Sequence, residues 1–198
     1  MFVRHESRFS SVISILAVLI FSVATSSVAE DQRESYSGFV INKSRSALNN
    51  SATVRIVIER WSTDEERSAL IDALAKNGHE GFVKVLHGQK ETGFVRSQAA
   101  TDTVGGLPRI VTRYARKVTE NGTTTITLVT DRPMRGKEDP EYKEYNVSAL
   151  RLELTEEGKG SGIVYVALKV GYDKEKQRLL LQSATLEPIH LTNMHLNK

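Results

Sequence analysis

The chain has 198 residues, no cysteine and a formal net charge of +3 at neutral pH. Without cysteine it has no disulfides, no thiolate metal site and no thiol catalysis. Basic and acidic residues alternate without a basic run, which argues against a nucleic-acid partner, and the length suits one domain with its own core.

Residues 1–29 have the layout of a secretory signal peptide. Basic residues precede an apolar stretch, Val12 to Phe21, and Ser27-Val28-Ala29 supplies the small residues of a cleavage site. About ten apolar residues are too few for a membrane span, which needs roughly 20. We therefore expect cleavage, a single β-rich domain at 30–198, a secreted or periplasmic location, and no transmembrane segment in the mature chain.

The next feature is one strand-to-helix junction. Ser62-Thr63 is followed three residues later by Glu65-Glu66, which is the spacing of a capping box, and acidic residues favour a helix start. Asn77-Gly78 is typical of a helix end. The pattern therefore predicts a helix from Asp64 to about Lys76 and a shorter second helix from His79 to Leu86.

The rest of the chain predicts β-structure. Asn121-Gly122 between two alternating stretches indicates a tight hairpin. The fold class expected is α+β and predominantly antiparallel: a barrel or strongly curved sheet of about eight to nine strands, with a two-helix insertion after the second strand. The predicted strands are Tyr36 to Asn42, Val54 to Trp61, Lys90 to Gln98, Arg109 to Thr119, Thr123 to Thr130, Val147 to Thr155, Ile163 to Val170, Gln177 to Leu186, and Ile189 to Met194.

The run from Glu59 to Arg67, Glu-Arg-Trp-Ser-Thr-Asp-Glu-Glu-Arg, resembles a signature of a family of small secreted bacterial proteins to which no activity is assigned. Thr130-Asp131-Arg132-Pro133, and Pro188 followed by Leu191-Thr192-Asn193, lie where later motifs of that family would be. The resemblance covers roughly Tyr36 to Asn193. It implies a bacterial exported protein and indicates no site.

No catalytic, metal or cofactor motif emerges from the sequence. His79 and His87 are eight positions apart on a predicted helical segment, which separates them by about 12 Å, too far for one metal ion. His190 and His195 are five positions apart on a strand, so they should face opposite sides. We expect surface or core histidines and no cofactor.

Five residues are candidates for a ligand site. Trp61, the only tryptophan, lies at the strand-to-helix junction, where it could line a ligand or simply pack the helix on the sheet. Glu59 could face inward beside it. Arg132, Tyr142 and Tyr145 lie on a long loop after a strand, and loops on a rigid scaffold commonly carry binding groups.

Three functions follow from these candidates. The first is a non-enzymatic exported protein that binds a small or apolar ligand in a barrel or in a crevice between sheet and helix. The second is a small hydrolase or isomerase that uses an inward-facing Glu59 with an arginine partner. The third is a protein–protein interaction module with an exposed strand edge near Pro188. The sequence leaves the oligomeric state open.

Overall fold

A computed structural model describes residues 33–41, 51–99, 109–134, 144–173, 175–176, 178–184 and 188–197. Within these ranges the chain forms one helix and ten strands. In chain order they are β1 (Glu34–Ile41), β2 (Ser51–Ile58), α1 (Asp64–Gly88), β3 (Gly93–Ala99), β4 (Ile110–Thr112), β5 (Tyr114–Glu120), β6 (Thr123–Thr130), β7 (Val147–Leu154), β8 (Lys159–Asp173), β9 (Arg178–Ser183) and β10 (Ile189–Leu196).

The strands form one antiparallel sheet in the order β4-β3-β2-β1-β10-β8-β7-β6-β5, and β9 pairs with β8 outside this order. β4 and β5 lie at opposite ends of the order, yet only Arg113 separates them in the chain. The backbone N–H of Arg113 donates to the carbonyl of Val129 in β6 at 2.8 Å. One bent segment therefore joins the two ends, and the predicted antiparallel, barrel-like sheet is confirmed.

The hairpin between β5 and β6 is where the sequence places it. Glu120 pairs with Thr123, and the two residues between them, Asn121 and Gly122, have φ values of 50° and 76°. Positive φ at both loop positions is the requirement of a two-residue hairpin turn whose twist matches the strands.

Large apolar side chains occupy the inside of the barrel. Inward-facing residues of eight strands (β1, β2, β3, β5, β6, β7, β8 and β10) form this core, and Leu150, Leu152 and Ile126 are completely buried there. Such packing has the density of an organic crystal and dominates the stability of the domain. The buried members of this core are Tyr36, Val54, Ile56, Ile58, Val95, Ala115, Ile126, Leu128, Leu150, Leu152, Leu154, Val164, Val166, Leu191 and Met194.

A second apolar cluster lies outside the barrel, between α1 and the long strand β8. The pairing of β7 with β8 shifts between Val147 and Ala149, so the side-chain alternation of β8 changes phase. Val164 and Val166 face the barrel core, whereas Leu168 and Val170 pack against the helix. This irregularity explains why β8 is apolar on both faces.

The structure has one helix in this region instead of the two that we expected. α1 extends from Asp64 to Gly88, but Gly78 inside it has the non-helical values φ 63° and ψ −155°. In a straight helix Glu66 and Gln89 would be about 35 Å apart, yet the Gln89 amide donates to the Glu66 carbonyl at 2.9 Å. The predicted two-helix insertion is thus corrected to one helical element that bends back sharply at Gly78.

Candidate functional site

The structure places the predicted ligand residues in different environments. Glu59 follows the last residue of β2 and is exposed, so the inward-facing carboxylate expected there is wrong. Trp61 is half-buried and packs against the barrel core. Arg132 is 64% exposed and Tyr145 is half-buried. Tyr142 lies outside the described residues.

Trp61 belongs to a group of side chains at one mouth of the barrel. The Lys117 ammonium lies 5.7 Å from the centroid of the Trp61 ring and 2.8 Å from Glu34 Oε1. The other oxygen of Glu34 accepts a hydrogen bond from the Tyr36 hydroxyl. Burial, and then the adjacent carboxylate, raise the pKa of Tyr36 far above its ordinary value. These polar groups are therefore partners of one another.

The run from Glu59 to Arg67 at the end of β2 contacts three parts of the fold: the start of α1, the segment after α1, and β5. Thr63 and Glu66 form the capping box that the spacing predicts. Arg60 makes two 2.9 Å bonds to the Glu66 carboxylate and reaches the Lys90 carbonyl after the helix. The Arg60 guanidinium holds the pKa of the Glu66 carboxyl below its usual value. Ser62 accepts a hydrogen bond from the Ala115 N–H in β5. These contacts give the run a structural role.

The strongest concentration of charge on one buried group is at Asp131. We call His87, Gln89, Arg113, Asp131 and Arg132 the Asp131 cluster. The Asp131 side chain is 1% exposed, and its Oδ2 lies 2.7 Å from His87 Nδ1 and 3.4 Å from Arg113 Nε. Its Oδ1 lies 3.7 Å from Arg132 Nε. A buried carboxylate is costly unless basic groups surround it, as they do here.

Three separate segments bring the Asp131 cluster together. His87 is in the last turn of α1 and Gln89 caps that helix, with its N–H donating to the Leu86 carbonyl. Arg113 lies at the bend between β4 and β5, and its Nη1 donates to the Gln89 carbonyl at 3.1 Å. Asp131 directly follows β6. The bend between β4 and β5 and the end of the bent helix therefore meet at this point.

Buried hydroxyl groups fix the turn after β6. Thr130 Oγ1 donates to the Arg132 carbonyl at 2.5 Å, and Ser148 Oγ accepts from the Met134 N–H at 2.8 Å. Both hydroxyl-bearing residues are fully buried. This anchoring fixes the backbone that carries Asp131 and Arg132, so their geometry does not depend on a free loop.

The hydrogen bonding of the Asp131 cluster is incomplete. Among the described residues, buried side-chain atoms without a hydrogen-bond partner are Gln89 Oε1, Arg113 Nε, Asp131 Oδ1 and Arg178 Nε. Three of these four atoms belong to the Asp131 cluster. Buried polar atoms are normally paired, so three exceptions within one cluster call for an explanation.

The outer side of the Asp131 cluster presents cationic and donor groups to solvent. The His87 ring is 70% exposed although its Nδ1 contacts the buried carboxylate, so its Nε2 edge is the accessible one. Arg132 is also largely exposed, and Arg113 is partly accessible. Chemically, this arrangement can attract an anionic group, or it can orient an imidazole as a base.

Sequence analysis named Arg132 as a candidate but did not single out Asp131 or its partners His87, Gln89 and Arg113. His87 precedes Asp131 by 44 positions, and no periodic pattern links the two. Gln89 gives no signal at all, because its role depends on the bend at Gly78. Comparison of the chain with family models, curated proteins and solved structures found no match.

Two further findings concern the described part of the chain. No group of three or more His, Cys, Asp or Glu side chains in these ranges could hold a metal ion. No helix in the same ranges is both long enough and apolar enough to cross a membrane.

Proposed function

We propose that the chain is an exported bacterial binding protein that holds a small ligand with an anionic group at the Asp131 cluster. The observation that carries this proposal is the buried Asp131 carboxylate with three basic side chains within 3.7 Å. The export part of the proposal rests on the signal-peptide pattern of residues 1–29 and on the family resemblance of the Glu59 to Arg67 run.

Charge supports an anionic ligand. Asp131 contributes one negative charge, whereas Arg113 and Arg132 contribute two positive charges and His87 can add a third. The carboxylate lies beneath and the basic groups reach outward, so an approaching ligand meets donors first. Guanidinium groups bind carboxylates and phosphates through paired, charge-assisted hydrogen bonds.

The barrel interior is a poorer place for the ligand. Its described centre is filled by completely buried side chains such as Leu150, Leu152 and Ile126. Beside Trp61, the charged groups Glu34 and Lys117 are already bonded to each other at 2.8 Å. We therefore propose a ligand site on the outside of the barrel instead of inside it. Arg132 is the ligand residue predicted from the sequence that belongs to this site.

Calorimetric titration with citrate, succinate and inorganic phosphate tests this function. We expect saturable binding of at least one of these anions, and a loss of about tenfold in affinity in Arg132→Gln, since a charged hydrogen bond contributes about 1.5–3 kcal/mol. Arg151→Gln is the matched control, because Arg151 is 53% exposed and lies on β7 away from the cluster. Equal affinity of all three proteins, or no binding at all, would refute the proposal.

One observation favours an enzyme as a second candidate. A buried Asp131 held against His87 Nδ1 leaves Nε2 on the exposed edge, which is the orientation of an imidazole general base. His87→Gln would then abolish turnover of a bound ester or phosphate while ligand affinity stays within about threefold. Turnover equal to wild type in His87→Gln would remove this candidate and leave the binding function.

A further inference from the structure

A row of basic and polar side chains crosses the outer face of the barrel on five neighbouring strands. Lys159 on β8 pairs with His195 on β10, and His195 pairs with Ser37 on β1. Ser37 pairs with Arg55 on β2, and Arg55 pairs with Arg96 on β3. Directly paired residues of an antiparallel sheet point to the same face. We call these five residues the basic row.

The basic row faces solvent. Its neighbours along the strands, Tyr36 and Ile56, are buried in the barrel, so the row points outward by alternation. Lys159, His195, Arg55 and Arg96 are exposed. With strands about 4.8 Å apart, four intervals give the row a length of about 19 Å.

Carboxylates are scarce on the described part of this face. Strands β1, β2, β3 and β10 contain one acidic residue, Glu34, which turns to Tyr36 and Lys117 at the barrel mouth. Among the described residues Arg96 has no carboxylate partner, and Arg55 Nε donates to Ser35 Oγ at 3.3 Å. The only described carboxylate at the row is Glu157, 3.3 Å from the Lys159 ammonium, and both side chains are largely exposed.

The pairing of Arg55 with Arg96 is unfavourable for folding. Like charges that are directly opposite on a sheet destabilise it, and here no described carboxylate relieves the repulsion. An arrangement that weakens the fold at the surface is explained if an anionic partner neutralises it. The repulsion is therefore the first indication of a ligand.

A pocket at one end of the basic row is the second indication. It has a volume of about 310 Å³ and is lined by Lys159, Gly160, Asn193, Met194 and His195. The irregular pairing of β10 between Leu191 and Met194 shapes it, and Asn193 has a positive φ of 52° there. The volume lies at the lower end of the range for small-ligand sites, and two of its lining residues belong to the row.

We propose that the basic row binds an acidic polysaccharide, with successive sugar carboxylates or sulfates on Arg55 and Arg96 and a sugar ring in the pocket beside Lys159 and His195. The row crosses the strands, so it follows the curved circumference of the barrel. A flexible chain of charged sugars can follow that curve, and hydroxyls of Ser37 and the Asn193 amide suit sugar hydroxyls.

The same geometry disfavours two other polyanions. A flat anionic membrane would touch only the centre of a convex row, and on the described outward positions of β1 and β2 the one largely exposed large apolar side chain is Phe39. Single-stranded nucleic acid needs aromatic side chains on which bases stack. The row itself has only the His195 imidazole, the exposed Phe39 lies beside it, and the nearby Phe94 ring is already covered by Arg109 at 4.5 Å. Two isolated rings do not form the series of stacking surfaces that successive bases need.

Titration calorimetry of the purified protein with hexagalacturonate and with a heparin hexasaccharide tests the proposal. We expect at least one hexasaccharide to bind, and each of Arg55→Gln and Arg96→Gln to weaken it about tenfold. Arg151→Gln and Arg132→Gln remove the same charge elsewhere and should leave the affinity within about twofold. Since Arg132 belongs to the Asp131 cluster, this control also separates the proposal from the proposed function.

Three results would overturn the proposal. One is the absence of binding to both hexasaccharides. Another is an equal loss in Arg151→Gln and Arg55→Gln, which would mean that the ligand responds to net charge alone. The third is tighter binding of phosphatidylglycerol vesicles or oligothymidylate than of either hexasaccharide, with the same loss in Arg96→Gln, because the row would then serve a membrane or a nucleic acid.

Discussion

Replacing Gly78 with alanine isolates the cost of one backbone conformation. At φ 63° and ψ −155°, Gly78 occupies a region that is essentially restricted to glycine. A Cβ atom added there has no neighbour within 4 Å, so the substitution creates no clash. Any loss of stability must therefore come from the backbone conformation at the bend of α1.

The expected loss is about 1–3 kcal/mol in the free energy of unfolding. With a urea dependence of about 2 kcal/mol per molar, the midpoint of unfolding would fall by about 0.5–1.5 M. The assay is urea unfolding followed by Trp61 fluorescence and by circular dichroism. Gly88→Ala is the matched control, because it also adds a Cβ into open space but has no positive φ.

The sign of the Gly78→Ala effect decides whether the helix bends. Inside a straight helix, alanine in place of glycine would stabilise the protein by about 1 kcal/mol. Gly88→Ala should be neutral or stabilising by up to about 1 kcal/mol. A rise in the urea midpoint of Gly78→Ala would refute the bend, and with it the geometry that brings Gln89 to Glu66.

Three more predictions concern the barrel. Leu152→Ala should lower the free energy of unfolding by about 2–5 kcal/mol in urea, and a loss below about 1 kcal/mol would contradict a filled interior. Because the pKa of Tyr36 is raised in the folded chain, its stabilisation is complete below about pH 10 and is lost as the pH rises further. Tyr36→Phe should therefore lose less stability than wild type between about pH 9 and 11, and parallel losses would refute this. Arg96→Gln should raise stability by about 0.2–1 kcal/mol, whereas a decrease would mean that Arg55 and Arg96 do not repel.

The parts of the fold that were predicted correctly follow from local sequence patterns. Alternating apolar residues, Asn121-Gly122 and the capping box of Thr63 with Glu66 are all read within a few residues, and each is where it was expected. The antiparallel barrel-like sheet follows from them because consecutive strands with short turns pair as neighbours. Glu59 was misplaced because it is in phase with the outward-pointing Arg55 and out of phase with Ile56 and Ile58, which are buried in the barrel core.

Features that depend on distant contacts were not predictable. Gly78 does depart from helical geometry, as the predicted helix end at Asn77-Gly78 implies, but the sequence does not show that the helix resumes directly after it. The change of phase in β8 depends on its pairing with β7. The contact of His87 with Asp131 depends on the bend of α1 at Gly78 and on the bend between β4 and β5. No pattern within one segment encodes such contacts.

The most direct test of the account is the mass of the native protein compared with the denatured chain after purification from an export host. We expect a small ligand to be retained by the wild type and by Arg151→Gln, to be lost on denaturation, and to be absent from Arg132→Gln. A ligand that persists in Arg132→Gln would place the site elsewhere. A bare native mass for all three proteins would contradict a ligand held at the Asp131 cluster.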